Sequence, residues 1–526
     1  MAKQTISSNG AALSEEKDIF LVQEETNSQG NKSKEKPTNK SLKTKDSSLY
    51  RKKVFFSLWL AVSLFSLGVT VGQMGPTFLD LQIITNTNVE EASAFFTGAS
   101  IGYLTGSMIS GAIYNKVNKP FLEFTSLLLL GVFTTATPHC SSYPLMIVIR
   151  TAVGICCGCV DTTSNAEHMR IWGNEGQVLM QLLHFAFALG GVISPLYSEP
   201  FLAEKSLEND TTTAILNETL SLNYTNMSNI SENTLPQTTN VHWAFLITGI
   251  WTLLSSIPFL VFWIQGAINK KKNESKKENK KITQRDLPKP VLILVLLTLC
   301  FMYVLYCCVE DTFASFLMTF LVKEYDYVTK SKGAHITALY WASFATSRFL
   351  SIFISNFITA VHLLFICCTL MLISFLGFFL SAIFAVSNPA VIDGLIFFSV
   401  MAGLSMSAVF PSGFSWTEAE LLKVTGCVSS CILVSASIGT MVNPLMLGYL
   451  MTEFSNIWFC YLLLGETIAL CCVFLFLWSL NRFILNNRYG SLNAQRSLSF
   501  SVEVNEPEQP LAAVEIYRKN VSNSSL

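Results

Sequence analysis

Long apolar stretches separated by polar connections make up most of the chain. Each stretch is long enough, or nearly so, to cross a bilayer of about 30 Å as a helix that rises 1.5 Å per residue. The stretches run approximately over 54–78, 92–114, 120–139, 144–166, 179–199, 242–266, 290–322, 334–356, 360–385, 389–415, 426–450 and 456–481. This pattern predicts an all-α membrane protein with twelve transmembrane helices.

Polar segments divide the twelve predicted helices into two groups of six. The first and last segments are rich in Ser and Asn and lack an apolar core, which is typical of disordered tails. The predicted order is a cytosolic tail (1–53), a six-helix bundle (54–266) with an external loop at about 200–241, a basic cytosolic linker (267–289), a second bundle (290–485) and a cytosolic tail (486–526).

Lysine and arginine in the connections predict the orientation, because cytoplasmic loops are enriched in these residues. The connections that contain Lys116, Lys119 and Arg170 are basic, and the segment 270–289 holds nine Lys and Arg. Both termini are therefore predicted to be cytoplasmic. The alternate connections near 80–91, 140–143, 386–388 and 452–456 contain none, and the exceptions follow the seventh stretch: Lys323, Lys330 and Lys332.

Glycosylation signals test this orientation independently. Five N-x-S/T acceptors lie in the polar segment between the fifth and sixth stretches, at Asn209, Asn217, Asn223, Asn226 and Asn229. Such sites are modified only on a lumenal or extracellular loop, so they agree with the charge pattern. The alternative is a polar spacer without glycans.

Composition excludes several classes of protein. Charged residues make up 13% of the chain, hydrophobic residues 51%, and the net charge is −1, which does not suit a nucleic-acid binder. The sequence has no GxxxxGK[ST] or HExxH motif, and its one GxSxG match, GASIG at 98–102, lies inside an apolar stretch and not at a strand-to-helix turn, so an ATP-driven pump or a hydrolytic membrane enzyme is not expected. No cofactor and no resident metal are predicted.

An internal repeat relates the two groups of helices. An offset of 249 residues aligns Ala188-x-Gly190 and Ser194-Pro195-Leu196 with Ser437-x-Gly439 and Asn443-Pro444-Leu445, and it also aligns Gly154 with Gly403. The predicted fold is therefore two pseudo-symmetric six-helix bundles, with a binding site at the interface between the repeats.

Charged residues inside the apolar stretches are the first candidates for that site, because a charge in hydrocarbon persists only when it is paired, hydrated or functional. Asp161 is the strongest candidate for contacting the substrate or a coupling ion; the alternative is an ion pair with Arg150 or Arg348. Glu310 and the adjacent Asp311 are further candidates, of which only one can face the cavity squarely, because their side chains point about 100° apart on a helix.

Uncharged polar and aromatic residues complete the candidate site. Binding of a small polar solute requires amides and carboxylates that match its polar groups, together with a flat apolar surface. Suitable residues are Gln73, Asn165, Gln181, His184, Trp341, Trp416 and Asn443. The alternative for each aromatic residue and for His184 is ordinary packing.

Several local motifs resemble one family. They are Gly75-Pro76-Thr77-Phe78, GYLTGSMISG at 102–111, Asp161-Thr162-Thr163-Ser164-Asn165, Ile171-Trp172-Gly173, MQLLHFAFALGGVISPL at 180–196, Glu310 in VEDTFAS, Tyr340-Trp341, Arg348 and FPSGFSW at 410–416. In this order they resemble the sodium-dependent glucose transporter 1 branch of the major facilitator superfamily, which is similar to bacterial fucose permeases.

The resemblance implies a monomeric secondary-active transporter in the plasma membrane, apical in epithelia, which moves a glucose-like hexose by alternating access. The coupling ion stays open between Na⁺ and H⁺, because the position of the fucose-permease carboxylate in the first helix is Gly72 here. The alternative is an uncoupled facilitator or channel-like pathway for a small polar solute such as urea.

Overall fold

A computed structural model describes residues 39–172, 176–204, 239–269, 288–355, 357–385, 389–422 and 426–489, and in these ranges the fold is helical. The membrane helices are α1 (Asn39–Gly72 and Met74–Thr85), α2 (Val89–Ile113), α3 (Lys119–Ala136), α4 (Tyr143–Trp172), α5 (Gly176–Ser198), α6 (Val241–Asn269), α7 (Lys289–Glu324), α8 (Lys330–Ile354), α9 (Ala360–Ala385), α10 (Ile392–Met406 and Val409–Trp416), α11 (Gly426–Glu453) and α12 (Trp458–Ser479). Each of the twelve predicted stretches corresponds to one of these helices.

Local sequence explains where several helices begin. Asn88 caps α2 in a capping box with Glu91, whose backbone N–H donates to the Asn88 side chain at 2.8 Å. Asn118 and Thr329 accept hydrogen bonds from the first turns of α3 and α8 in the same way. These caps satisfy backbone donors at helix ends where the chain turns between spans.

Proline has two different effects on the helices. The breaks in α1 and α10 fall at Gln73 and at 407–408, which are three or four residues before Pro76 and Pro411. Pro195 and Pro444 instead lie inside continuous helices. Of these four prolines, Pro76 and Pro411 therefore follow helix breaks, whereas Pro195 and Pro444 do not interrupt their helices.

Ten of the described helical segments are long and apolar enough to span a membrane. The other two predicted spans are α2 and α8, which have 25 residues each and so are about 38 Å long. Acidic residues begin α2, and Lys330 and Arg348 lie in α8. Both helices lie at the interface between the two halves, where polar groups are sheltered from lipid.

Glycine packing confirms the internal repeat. A methyl group on Gly190 of α5 would lie 2.3 Å from the backbone oxygen of Phe65 in α1, and one on Gly439 of α11 would lie 2.5 Å from that of Val304 in α7. Gly154 of α4 approaches α2 as closely. The fifth and first helices of each half therefore make the same backbone contact.

Hydrogen bonds join the two halves at the end of the bundle away from the termini, which we call the distal face. Pro444 has no N–H to donate to Thr440 O, and this carbonyl instead accepts from Ser100 of α2 at 3.1 Å. Thr97 of α2 donates to Met441 O at 2.8 Å. A proline in α11 thus supplies an acceptor that holds the halves together.

Several predicted segments lie wholly or partly outside the described residues. The five glycosylation acceptors (Asn209, Asn217, Asn223, Asn226 and Asn229) fall within 205–238, and most of the basic linker falls within 270–287. At the N-terminus, α1 begins at Asn39, inside the segment that sequence analysis assigns to the disordered tail.

Candidate functional site

Asp161 of α4 lies at the interface between the halves and is held by two neighbours. Tyr103 of α2 donates its hydroxyl to Oδ2, and Asn165 donates from Nδ2 to Oδ1 at 2.9 Å. The Oδ1 atom of Asn165 is buried without a protein partner. The predicted pair of Asp161 and Asn165 is therefore brought together, with one amide oxygen left to accept a hydrogen bond.

Arg348 of α8 connects the acids of the two halves electrostatically. Its positive charge acts on Asp161 of the first half and on Glu310 of the second. The guanidinium carbon lies 4.8 Å from the ring centroid of Phe344, and its Nε is buried without a hydrogen-bond partner. Among the described residues, no direct ion pair joins Arg348 to either acid.

Glu310 and Asp311 face different neighbours, as their adjacent positions on α7 require. Glu310 lies beside Arg348 and Tyr306, whose hydroxyl donates to Met406 O at 2.9 Å. Asp311 acts on Tyr103 of the opposite half, which also holds Asp161. Sequence analysis did not select Tyr103 or Asp311; the signal for Tyr103 was its position between Gly102 and Gly106, where α2 and α4 pack closely.

The basic and amide candidates on α4 and α5 have different surroundings. His184 lies within electrostatic reach of Arg348 and therefore borders the central group. Gln181 is half-buried one turn earlier. Arg150 is buried and pairs with no acid among the described residues, so the alternative of an Asp161–Arg150 ion pair does not form.

Four other candidates take part in packing. Gln73 accepts from Thr248 at 2.8 Å, inside the first half. Trp416 is fully buried in the second half, and its Nε1 donates to Glu420 at 3.1 Å.

The other two packing candidates differ in position. Asn443 is buried and donates to Cys308 O, Thr312 and Glu466. Trp341 packs across the halves, because a methyl group on Gly191 would lie 2.5 Å from its ring. The structure therefore places only Trp341 of these four at the interface of the halves.

Two further charged groups lie outside the predicted set. Glu123 of α3 is 1% exposed inside the first half, and it was visible in the sequence only as one acid within an apolar stretch. Lys330 of α8 forms a buried ion pair with Asp80 of α1 at 3.2 Å on the distal face. This pair explains one of the three lysines that did not follow the charge pattern of the loops.

The central group consists of Asp161, Asn165, Arg348, Glu310, His184, Tyr103 and Asp311. It combines one cation, carboxylates from both halves and amide and hydroxyl groups. These charges face one another without direct contact, so a ligand with several hydroxyl groups can donate to the acids and accept from the guanidinium at the same time. The arrangement suits an uncharged polyol.

Known proteins with similar sequences include glucose transporters. The chain is 29% identical over 392 residues to sodium-dependent glucose transporter 1A of Mus musculus, which covers 74% of this chain and 88% of that protein. It is 29% identical over 437 residues to sodium-dependent glucose transporter 1 of Homo sapiens, and this match covers 80% of this chain and 78% of that protein. It is also 22% identical over 436 residues to major facilitator superfamily domain-containing protein 4A of Mus musculus, and this match covers 73% of this chain and 84% of that protein.

Solved structures show the same fold. A bacterial homolog to the human lysosomal transporter Spinster, in an inward-facing and unoccupied conformation, matches with a TM-score of 0.56 at 14% identity, covering 83% of this chain and 98% of that one. The sequence profile described as Major Facilitator Superfamily matches residues 58–421. With its two repeated bundles and an interfacial polar site, the chain belongs to the Major Facilitator Superfamily.

Proposed function

We propose that this protein is a secondary-active transporter that moves a small glucose-like sugar across the plasma membrane with Na⁺. The observation that carries the proposal is the position of Arg348 between Asp161 of one half and Glu310 of the other. A ligand bound among these groups contacts both halves at once. Its binding free energy can therefore depend on how the halves are arranged, as alternating access requires.

The similar proteins support the substrate class. Those named sodium-dependent glucose transporter 1 match across most of this chain. The central group agrees with that class, because sugar hydroxyls both donate and accept hydrogen bonds. Trp341, at the interface of the halves, has a buried indole Nε1 without a hydrogen-bond partner in the protein, and this N–H can donate to a sugar hydroxyl.

The closed distal face supports a carrier mechanism. If both termini are cytoplasmic, the distal face is external, and the bonds of Thr97 and Ser100 to α11 close it. A channel-like pathway would need both ends open together, so these contacts favour the carrier over a facilitator for a solute such as urea.

Coupling to one Na⁺ sets a limit on accumulation. A tenfold Na⁺ gradient supplies about 1.4 kcal/mol and a potential of 100 mV about 2.3 kcal/mol more. Together these allow an accumulation of a few hundredfold. An uncoupled protein would only equilibrate its solute.

Uptake of radiolabelled sugars by cells that express the protein, with Na⁺ or choline outside, tests the proposal. We expect saturable, Na⁺-stimulated uptake in which unlabelled sugars compete. Asp161→Asn should lower this uptake at least tenfold at unchanged surface expression, because hydrogen bonds to charged groups contribute about 1.5–3 kcal/mol. Asp393→Asn, a change of an exposed acid in α10, is the matched control and should transport normally.

Two outcomes would contradict the proposal. Normal uptake by Asp161→Asn would remove Asp161 from the site. Non-saturable flux of urea or another small solute, without competition by sugars, would favour the facilitator.

A further inference from the structure

A second polar site lies inside the first half, around Glu123 of α3. The carboxylate is 1% exposed, and its Oε1 accepts hydrogen bonds from Ser63 of α1 and from Ser164 of α4, the latter at 2.6 Å. Both serines are fully buried. The other oxygen, Oε2, is buried and has no hydrogen-bond partner in the protein.

Glu123 lies near two other acids and contacts no basic side chain among the described residues. Of the two acids that act on it, Glu167 is paired with Arg170 at 2.6 Å, and Asp161 faces Arg348. Glu123 itself contacts only neutral hydroxyls among the described residues. A carboxylate buried in this way is costly unless a cation compensates its charge or a proton neutralises it.

The donor atoms indicate which cation. A carboxylate and two hydroxyl oxygens are hard ligands, which favour hard cations over transition metals. They come from α1, α3 and α4, and the distance between the two hydroxyl oxygens is 3.3 Å. Each hydroxyl can turn its hydrogen away and present a lone pair. With a single carboxylate, the site matches a monovalent ion better than a divalent one.

We propose that Glu123, Ser63 and Ser164 form a Na⁺ site that is distinct from the central sugar site. This assignment rests on the proposed function, because it gives the coupling ion of that transport cycle its own position. The two sites are joined by adjacent residues of α4. Ser164 contacts Glu123, while Asn165 donates to Asp161 at 2.9 Å. An ion that fixes Ser164 therefore fixes the turn of α4 that orients the sugar-binding carboxylate.

Direct binding of ²²Na⁺ to the purified full-length protein tests the site without any sugar. We expect saturable binding and a Na⁺-dependent rise in Tm relative to choline. Glu123→Gln should lose both, and Asp161→Asn should keep both. Ser63→Ala should weaken Na⁺ binding about tenfold, whereas Ser66→Ala, which removes a buried hydroxyl one turn away that bonds Ser255 instead, should not.

The possible outcomes separate this site from the proposed function. Na⁺ binding that survives Glu123→Gln, or wild-type protein that binds no Na⁺, overturns the site whatever the uptake assay shows. Stabilisation of the wild type by low pH in place of Na⁺ overturns it in favour of a proton. Sodium binding that depends on Glu123 in a protein that takes up no sugar keeps the site and rejects the substrate. If Glu123→Gln does not fold, the double change Ser63→Ala and Ser164→Ala, which keeps the carboxylate, decides.

Discussion

Tyr103 positions Asp161 from the opposite helix. Its hydroxyl donates to Oδ2, while Asn165 holds Oδ1, so the carboxylate has one donor on each oxygen. Asp311 of the other half also acts on Tyr103. A single phenol therefore lies between acids that belong to different halves, and it can respond to the arrangement of both.

Removal of this hydroxyl gives a prediction about affinity. Tyr103→Phe keeps the ring but deletes the donor to Asp161, and we expect KM for the sugar to rise about tenfold or more, since such charge-assisted bonds contribute about 1.5–3 kcal/mol. Concentration-dependent uptake measures the change. Tyr114→Phe on α2 is the control. It deletes a hydrogen bond of 2.5 Å from Tyr114 to Glu167, which is not part of the central group. An unchanged KM in Tyr103→Phe would contradict the role of the hydroxyl.

Single residues were predictable when a charge stood alone in apolar sequence. The sequence indicates Asp161 and Arg348 in this way, because a charge in an apolar stretch needs a partner, water or a function, whereas Glu310 is preferred over the adjacent Asp311 only through the family resemblance. Tyr103 was missed because its role depends on a contact between helices and not on its own stretch. Asn443 has the right chemistry for a site, but its amide is used inside the second half.

At the scale of helices, close approach of backbones decides the packing. Gly190 brings α5 against the Phe65 carbonyl of α1, and Gly439 does the same for α11 and α7. Such contacts let helices associate in a membrane, where apolar surface alone gives little driving force. The repeated small residues in the sequence therefore mark the positions where the fifth helix of each half packs closely against the first.

These contacts predict which glycines tolerate a side chain. Gly190→Ala should lower stability by about 1–3 kcal/mol, because the new methyl group overlaps a backbone oxygen that cannot rotate away. Gly111→Ala should be neutral, since a methyl group there meets open space. Thermal unfolding of the purified variants measures both, and equal Tm values for the two would show that the close contact is unimportant.

Hydropathy predicted the positions of the helices, but the sequence did not show which helices are continuous and which are broken near a proline. The twelve stretches correspond to helices because burial in a bilayer leaves the backbone no other partner than itself. The effect of each proline depends on tertiary contacts. Thr440 O is freed by Pro444 but accepts from Ser100, so α11 continues, whereas α10 breaks before Pro411.

In the whole molecule, Asp80 and Lys330 join the two halves at the distal face. Asp80 is fully buried, and its Oδ1 also accepts from Ala203 N at 2.7 Å and from Thr239 at 2.6 Å. Sequence analysis assigned Asp80 to a loop and treated Lys330 as an exception. Neither the hydropathy of the loop nor the charge pattern of the connections could identify a contact between Asp80 and Lys330, which are 250 residues apart in the chain.

Loss of this ion pair should favour the conformation that is open at the distal face. Only the closed arrangement brings Asp80 and Lys330 together, so Asp80→Asn or Lys330→Gln leaves one charge buried in that state, while both groups can be hydrated when it opens. Asp80→Asn keeps an oxygen that can accept from Ala203 and Thr239. We expect a shift of about 1–3 kcal/mol towards opening, or about 5- to 150-fold in the equilibrium.

A cysteine in place of Ser93 can report this shift. Ser93 is fully buried beside Gly448 of the other half, and its hydroxyl donates to Val89 O within α2. Among the described residues the substitution therefore removes no hydrogen bond between the halves. A membrane-impermeant maleimide should label Ser93→Cys faster when Asp80→Asn or Lys330→Gln is also present. The two changes together should give no more than either alone, because they remove the same interaction. Lys332→Gln, in the same first turn but exposed, should leave labelling unchanged, and equal rates in all variants would mean that the pair does not hold the distal face closed.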